Sequence, residues 1–271
     1  MVDGFQFKER YDCDDLLNIV SVLRSPGGCP WDAEQTHESI RKDFIEETYE
    51  VIEAINKKDP SMLREELGDV LLQVVFHTLI ETEKGSFNFS DVCDEICKKL
   101  IIRHPHVFGD VSVSSTEEVL TNWDAIKMNT KNQKSTTQAM ESIPRELPAL
   151  MRANKVQKKA SKVGFDWDDA EGALIKVKEE TTEVEEALKD GNKNSIEDEI
   201  GDLLFAVVNV SRFAGVDPEE ALTGATDKFF RRFAYVEKAA EEKNIDMKTA
   251  GLSVLDELWE QAKKNTKEQM L

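Results

Sequence analysis

Apolar residues recur at three- and four-residue spacing over 38–57, 61–84, 90–103, 115–128, 145–162, 171–190, 194–214, 217–242 and 253–268. That is the period of amphipathic α-helices. No stretch alternates apolar and polar residues around a hairpin turn, so the pattern predicts an all-α chain. Ser90-Asp91 and Asp217-Pro218 carry the chemistry of helix starts, and Gly27-Gly28-Cys29-Pro30 reads as a loop. The longest apolar runs, Val70–Leu72 with Val74–Phe76, are far too short to span a bilayer. Met1–Asp15 is charged throughout and lacks the apolar segment of a signal peptide. A cytoplasmic protein without membrane contact is expected.

The same pattern is written twice. Residues 46–55 read EETYEVIEAI and residues 179–188 read EETTEVEEAL, an offset of 133. At that offset Glu66-Leu67-Gly68-Asp69 falls on Glu199-Ile200-Gly201-Asp202, with no gap from 46 to 72. Trp31-Asp32 matches Trp167-Asp168, Lys99 and Arg103 match Lys228 and Arg232, and Trp123 matches Trp259, each with a small shift. Two copies of one helical domain are the simple account. The expected division is an N-terminal domain over 1–128, a linker over 129–143 and a C-terminal domain over 144–271. Asn129–Gln138 is polar without apolar period, and Pro144 and Pro148 precede the second copy.

Charge changes the picture. Asp and Glu number 54 against 35 Lys and Arg, a formal net charge of −19. This excess argues against direct nucleic-acid binding, which calls for a basic face. A solvated acidic surface accounts for most of it, and clustered carboxylates that hold hard cations account for the rest. The four cysteines, Cys13, Cys29, Cys93 and Cys97, form no C-x-x-C pair and read as reduced thiols; Cys93 and Cys97, one helical turn apart, suit core positions.

Spacing locates the clustered acids. Apolar residues at 200, 203, 204, 205, 207, 208 and 210 leave helix 194–214 little solvated face, and such a helix is expected to be buried. Glu199 and Asp202 stand three apart within or beside that run, hence on one face. Glu180 and Glu183 repeat the spacing on the preceding helix, as do Glu47, Glu50, Glu66 and Asp69 in the first copy. Like charges at this spacing destabilise an isolated helix by about 0.2–0.5 kcal/mol per pair, and burying unpaired carboxylates costs several kcal/mol. A helix hairpin that sets E-x-x-E opposite E-x-x-D makes a four-carboxylate cage, and all-oxygen ligands suit Mg²⁺ or Mn²⁺. Gly68 and Gly201 mark where a ligand or another helix comes close. Phosphate-binding charge is available from Lys176, Lys178, Lys228, Arg231 and Arg232, and Trp167 and Trp259 either stack on a base or pack in the core. Glu34-x-x-His37 has no partner in the second copy, and the four histidines are scattered, so a di-iron site is discounted.

The stretches GCPWDAEQTH (28–37), EETYE (46–50), EELGD (65–69), RHPHVFGD (103–110), VGFDWDD (163–169), KEETTE (178–183), EDEIGDLLF (197–205) and DKFFRRF (227–233) together resemble the MazG family of nucleotide pyrophosphohydrolases. The resemblance covers nearly the whole chain and implies a four-helix-core all-α domain in tandem, assembled as a homodimer. It also implies Mg²⁺-dependent hydrolysis of nucleoside triphosphates to monophosphate and pyrophosphate, broad in base and sugar. By position, Glu180, Glu183, Glu199 and Asp202 become the expected metal ligands. Lys176 through Glu180, Lys228 through Arg232, and Trp259 become nucleotide contacts. In tandem members the second half is the expected catalyst and the first serves assembly. Here Glu47, Glu50, Glu66 and Asp69 form a complete second set, although Asp43 stands where the other copy has Lys176. A bound water would lose its proton to Glu179 or Glu180. No G-x-x-x-x-G-K-[ST] loop occurs, which disfavours a P-loop ATPase. The alternative from another class is a helical interaction or regulatory module with an acidic binding surface and no turnover.

Overall fold

The structure, a computed structural model, describes residues 5–119, 122–123, 126 and 135–268. The chain divides into two compact units that part between residues 127 and 128. Among the described residues both are helical and no strand occurs, as the apolar period predicts. No helix among them is long and apolar enough to cross a membrane.

The first unit contains α1 (Cys13–Arg24), α2 (Pro30–Glu34), α3 (Arg41–Lys57), α4 (Pro60–Lys84), α5 (Phe89–Arg103) and α6 (Pro105–Phe108). The second contains α7 (Thr136–Glu141), α8 (Ala149–Ser161), α9 (Ala170–Asp190), α10 (Lys193–Phe213), α11 (Pro218–Glu242) and α12 (Leu252–Glu268). The helix expected over 115–128 is described only at 115–119, 122–123 and 126.

Short loops fix the two central hairpins. α3 ends at Lys58 in the left-handed region (φ 55°), and Asp59 then caps α4 by accepting from the Ser61 and Met62 amides, with Pro60 at the first helical position. α9 ends at Gly191 (φ 70°), and Asn192 caps α10 from the Asn194 and Ser195 amides. A residue with positive φ followed by a side-chain N-cap turns the chain back within two residues, so both pairs lie antiparallel. Glu47 and Asp69 each stand eleven residues from Lys58, and Glu50 and Glu66 each stand eight. Glu180 and Asp202, and Glu183 and Glu199, stand at the same intervals from Gly191. The turn therefore sets the acids level with one another across each hairpin.

The first unit's core gathers Val20, Ile40, Val75, Phe76 and Ile80, with Leu16, Leu17, Leu72, Leu79 and Phe89 packed against it. Arg24 ties α1 to α4 through Nε and Nη2 on Glu83 (2.7 and 2.8 Å), and its Nη1 donates to the Asp32 and Gln35 carbonyls. A side chain on Gly28 would come within 2.3 Å of the Val22 carbonyl, so the loop beneath Arg24 requires glycine. The second unit's core is small-residue packing of α11 on α12: Val236, Ala239, Ala240, Leu258 and Ala262.

Several expectations need correction. Within the expected linker 129–143, residues 129–134 lie outside those described, but 136–141 form α7, capped by Ser135 and packed on α8 with Ala139 buried. The polar sequence hid a helix anchored by one small residue. Helix α1 was not predicted; its signal was the Asp12–Asp15 capping box, which the charge of the N-terminal segment masked. α5 starts at Phe89, capped by Asn88 together with Asp91, and not at Ser90. The helix expected from 145 starts at 149, after Pro148. Cys93 and Cys97 are exposed and not in the core; all four cysteines are free thiols. Helix α10 is not enclosed, since Ile200, Leu204, Phe205 and Val207 stay exposed. It packs on α8, α9 and α11 and leaves a flank open. At Gly68 and Gly201 a Cβ would meet nothing within 4 Å, so neither marks a close approach within the chain.

The histidines are also less scattered than their spacing suggests. His37 and His77 stack with Nδ1 atoms 2.7 Å apart, and His37 Nε2 lies 2.7 Å from Glu81 Oε1. Lys84 Nζ also donates to Glu81, and these bonds, the lysine's first, hold the Glu81 carboxyl down to about 2 from 4.5. A depressed carboxylate stabilises the fold fully above its unfolded value and loses that contribution as pH falls toward the folded one. Glu81→Gln should therefore lower the melting temperature of the first unit at neutral pH. The gap from the native chain should narrow as pH drops below 4.5 toward 2. Calorimetric melting across that range checks it, and a gap independent of pH would refute the assignment.

Candidate metal centre

The hairpins bring acids together twice. One carboxylate oxygen each from Glu180, Glu199 and Asp202 lie within 4.8 Å of one another, and so do those of Glu47, Glu66 and Asp69. Glu183 lies beside Glu180, and Glu50 beside Glu47 and Glu66, near enough for each to perturb its neighbour's carboxyl. Each pair of helices thus brings three of its four predicted acids together, and Glu183 and Glu50 stay outside the groups.

The two clusters differ in how their charge is balanced. In the second unit Lys176 Nζ lies 2.5 Å from Glu180 Oε1 and 2.8 Å from Glu179 Oε1. The ammonium holds Glu180's carboxyl below the usual range against the effect of its burial. Hydrogen bonding to Glu180 and burial push Glu183 up, and the acids shift in opposite senses as coupled carboxyls do. The first unit has Asp43 in place of that lysine. Glu47 and Glu66 are both raised, by burial first and then by repulsion from their neighbours.

The residues of the second cluster fit a hard divalent cation. The donors are all carboxylate oxygens. Glu180 is only 3 % exposed, and its buried Oε2 has no hydrogen-bond partner among the described residues while Oε1 is taken by Lys176. A buried acceptor left unpaired costs about 1–3 kcal/mol, and more when charged, and a cation between the helices would satisfy it. Asp202 is exposed and Glu199 half-buried, so the cage opens to solvent on the α10 side.

The expected phosphate-binding groups fall into two sets. Lys176 is at the carboxylates, and Lys178 is exposed on the same helix. Lys228, Arg231 and Arg232 are carried by α11 and Trp259 by α12. Arg232 lies 5.9 Å from the Trp259 ring centroid, and Phe229 packs on the same indole at 5.2 Å. Arg232 Nε is buried without a partner among the described residues. Trp259 packs against the second unit's core. None of these four lines the cavity of about 490 Å³ that Lys176, Glu180 and Asp202 border. Arg103 over Trp123 at 5.8 Å repeats the arginine–tryptophan contact in the first unit. Glu179 is half exposed and reaches Lys176 but not the carboxylate triad.

Sequence reasoning missed the cavity itself. It is walled by Phe165, Trp167 and Phe205 and floored by Gln157 and Asn209, and a pair between Arg212 and Asp166 stands at its edge. Its signal was faint: two amides and an arginine at apolar-facing helical positions.

Comparison with known proteins agrees with this duplication. A model described as the MazG nucleotide pyrophosphohydrolase domain matches residues 35–108 and again 170–237. A Thermotoga maritima protein named nucleoside triphosphate pyrophosphohydrolase/pyrophosphatase MazG is 48 % identical over 92 % of this chain and 95 % of its own length. A nucleoside triphosphate pyrophosphohydrolase of Escherichia coli K12 is 46 % identical over 93 % and 97 %. An uncharacterized Bacillus subtilis protein is also 46 % identical, but the match spans only 52 % of its length.

Proposed function

Because the chain belongs to the MazG nucleotide pyrophosphohydrolase family, we propose that it hydrolyses nucleoside triphosphates to nucleoside monophosphate and pyrophosphate with Mg²⁺, or Mn²⁺ in its place, and does so in the second unit. One observation carries this reading. The Glu180–Glu199–Asp202 cluster includes a buried carboxylate oxygen that nothing among the described residues satisfies.

Glu180, Glu183, Glu199 and Asp202 would hold the ion. When bound, it supplies charge neutralisation for the triphosphate and acidifies a water. The chain's own groups do the rest. Glu180 has one oxygen on Lys176 and the other facing the cluster, so Glu179, solvent-facing and not a member of the triad, is the better proton acceptor of the two candidates. Lys176, released from part of its carboxylate pairing, meets the negative charge that develops on the α-phosphate. Lys228, Arg231 and Arg232 hold the outgoing pyrophosphate, and Trp259 lies beside them.

Glu47, Glu66 and Asp69 would give the first unit a cation site too, but Asp43 stands where the second has Lys176, so we place turnover in the second unit alone. A homodimer fits the exposed Ile200, Leu204, Phe205 and Val207 of α10, which a second copy would cover. Four free thiols fit the cytoplasm.

Titration calorimetry with MgCl₂ alone tests the metal half of the reading and separates it from a purely acidic interaction surface. Binding should be lost in part with Glu66→Ala plus Asp69→Ala and in the remaining part with Glu199→Ala plus Asp202→Ala. Heat that is unchanged by both pairs would overturn the site assignment.

A further inference from the structure

One side chain ties the loop between α8 and α9 to the C-terminal end of α10. Arg212 Nη2 donates to Asp166 Oδ1 in that loop, across 46 residues of sequence. Arg212 Nε donates to Asn209 Oδ1 at 2.8 Å, and the guanidinium lies 4.4 Å from the Phe213 ring centroid. Two neighbours on its own helix thus aim the arginine at the loop. Its side chain is 12 % exposed and that of Asp166 22 %. An ion pair so withdrawn from water is little screened, and either charge left there alone is costly.

The loop has no other distant polar tie among the described residues. The Val163, Gly164 and Phe165 amides donate back to the last turn of α8, at Ala160 and Ser161. The Trp167 amide donates to Asp166, and Asp169 caps α9 by accepting from Gly172. Gly164 stands in the left-handed region at φ 81°, which glycine enters without strain. Val163 and Phe165 are 62 % and 80 % exposed, so neighbouring side chains do little to hold them. Only Trp167 packs locally, against Gly172 in the first turn of α9, where a Cβ would come 2.7 Å from the indole Cδ1.

The tie stands where it matters for the reaction. Asp166 and Trp167 from the loop, and Asn209 and Arg212 from α10, line the same cavity that Glu180 and Asp202 border. The ion pair joins loop to helix along that cavity and fixes how far apart they stand. We propose that Arg212 is a positioning residue: through Asp166 it holds the α8–α9 loop where the cavity can receive substrate, and it touches no reacting atom. This rests on the triphosphate reading above and deepens it. A loop released from α10 is in place only part of the time. Apparent affinity falls by that fraction, whereas the complex, once formed, has the loop seated. The signature is a raised KM with kcat kept.

Arg212→Met keeps the methylene stem beside Phe213 and removes the charge, and Asp166→Ala removes the other half of the pair. Pyrophosphate release from ATP is measured for the native chain, both variants and the double variant. Each single variant should raise KM about 10-fold, as for a loop in place a tenth of the time, with kcat within about 2-fold of native. The double variant should be no worse than either, since the same tie is lost once. Arg212→Lys, which keeps a cation for Asp166, should recover most of the affinity. Without substrate, exchange of the Val163, Gly164 and Phe165 amides, none of which bonds to Asp166, should quicken at least about 10-fold in R212M and D166A. A raised KM in R212M with none in D166A would mean that Arg212 meets the substrate itself. Multiplied losses in the double variant would mean two separate roles. Either result overturns the proposal, as does unchanged exchange. Should R212M not fold, D166A, whose residue stands in the loop and in no core, carries the same KM and exchange predictions. Should the native chain hydrolyse no triphosphate, the reaction reading fails and the positioning role with it, while exchange still decides whether this pair ties the loop.

Discussion

Glu199→Ala and Asp202→Ala should each abolish Mg²⁺-dependent pyrophosphate release, a loss of at least about 10²–10³-fold in kcat/KM, while helicity by circular dichroism stays native. Both residues sit on α10, level across the hairpin from Glu183 and Glu180. Their oxygens close the triad with the buried Glu180 carboxylate. Asp202 is exposed and Glu199 half-buried, so truncation leaves no cavity to collapse and the fold has little reason to change. Removing either also relieves repulsion, so the metal-free chain should melt no lower than native. A higher melting temperature with no activity is the signature of a functional acid cluster. Retained activity in both variants would remove this site from the reaction.

Lys176→Met should act in the opposite sense on stability. Among the described residues its ammonium is the one cation in contact with Glu180, at 2.5 Å, and Glu180's other oxygen has no partner. Without Lys176 a buried carboxylate stands with both oxygens unpaired. The cost is on the order of 1–3 kcal/mol, toward the low end because the lysine side chain is 35 % exposed and water can reach the gap. The second unit should therefore melt lower in EDTA and recover most of the loss in saturating Mg²⁺. Turnover should fall about 10²-fold, because the substrate loses the same charge. A melting temperature in EDTA equal to native would mean the Lys176–Glu180 pair carries nothing.

Much of this was legible in the sequence, for physical reasons that differ by element. The hairpins were, because a two-residue turn and equal spacing from it leave the acids no alternative but to face each other. Glu47, Glu66 and Asp69, like Glu180, Glu199 and Asp202, come within 4.8 Å as the duplicated spacing implies. Helix α7 was not legible, since its anchor is a single buried alanine within a polar stretch. The His37–His77 stack was not either, because its partners lie forty residues apart on different helices and no local pattern joins them. Helix α10 looked fully buried because period and hydrophobicity report apolar faces, not what covers them; Leu204 and Phe205 remain exposed within one chain. The cavity escaped for the opposite reason. Gln157 and Asn209 sit at positions that a hydrophobic pattern treats as lapses, and only the placement of α8 beside α10 makes them neighbours.

The difference between the units is also physical. Lys58 adopts the left-handed conformation where the other hairpin has Gly191, so the turn survived a change of residue at some conformational cost. Asp43 for Lys176 is a change of sign at the cluster itself. The first concerns folding and is tolerated, whereas the second alters what the acids can do.

The most direct test of the central claim is ³¹P NMR of the purified chain with a mixture of nucleoside triphosphates, in Mg²⁺ and again in EDTA. Pyrophosphate and nucleoside monophosphate should appear in Mg²⁺ only, and with Glu199→Ala in neither. Orthophosphate with nucleoside diphosphate, or an unchanged spectrum in Mg²⁺, would contradict it.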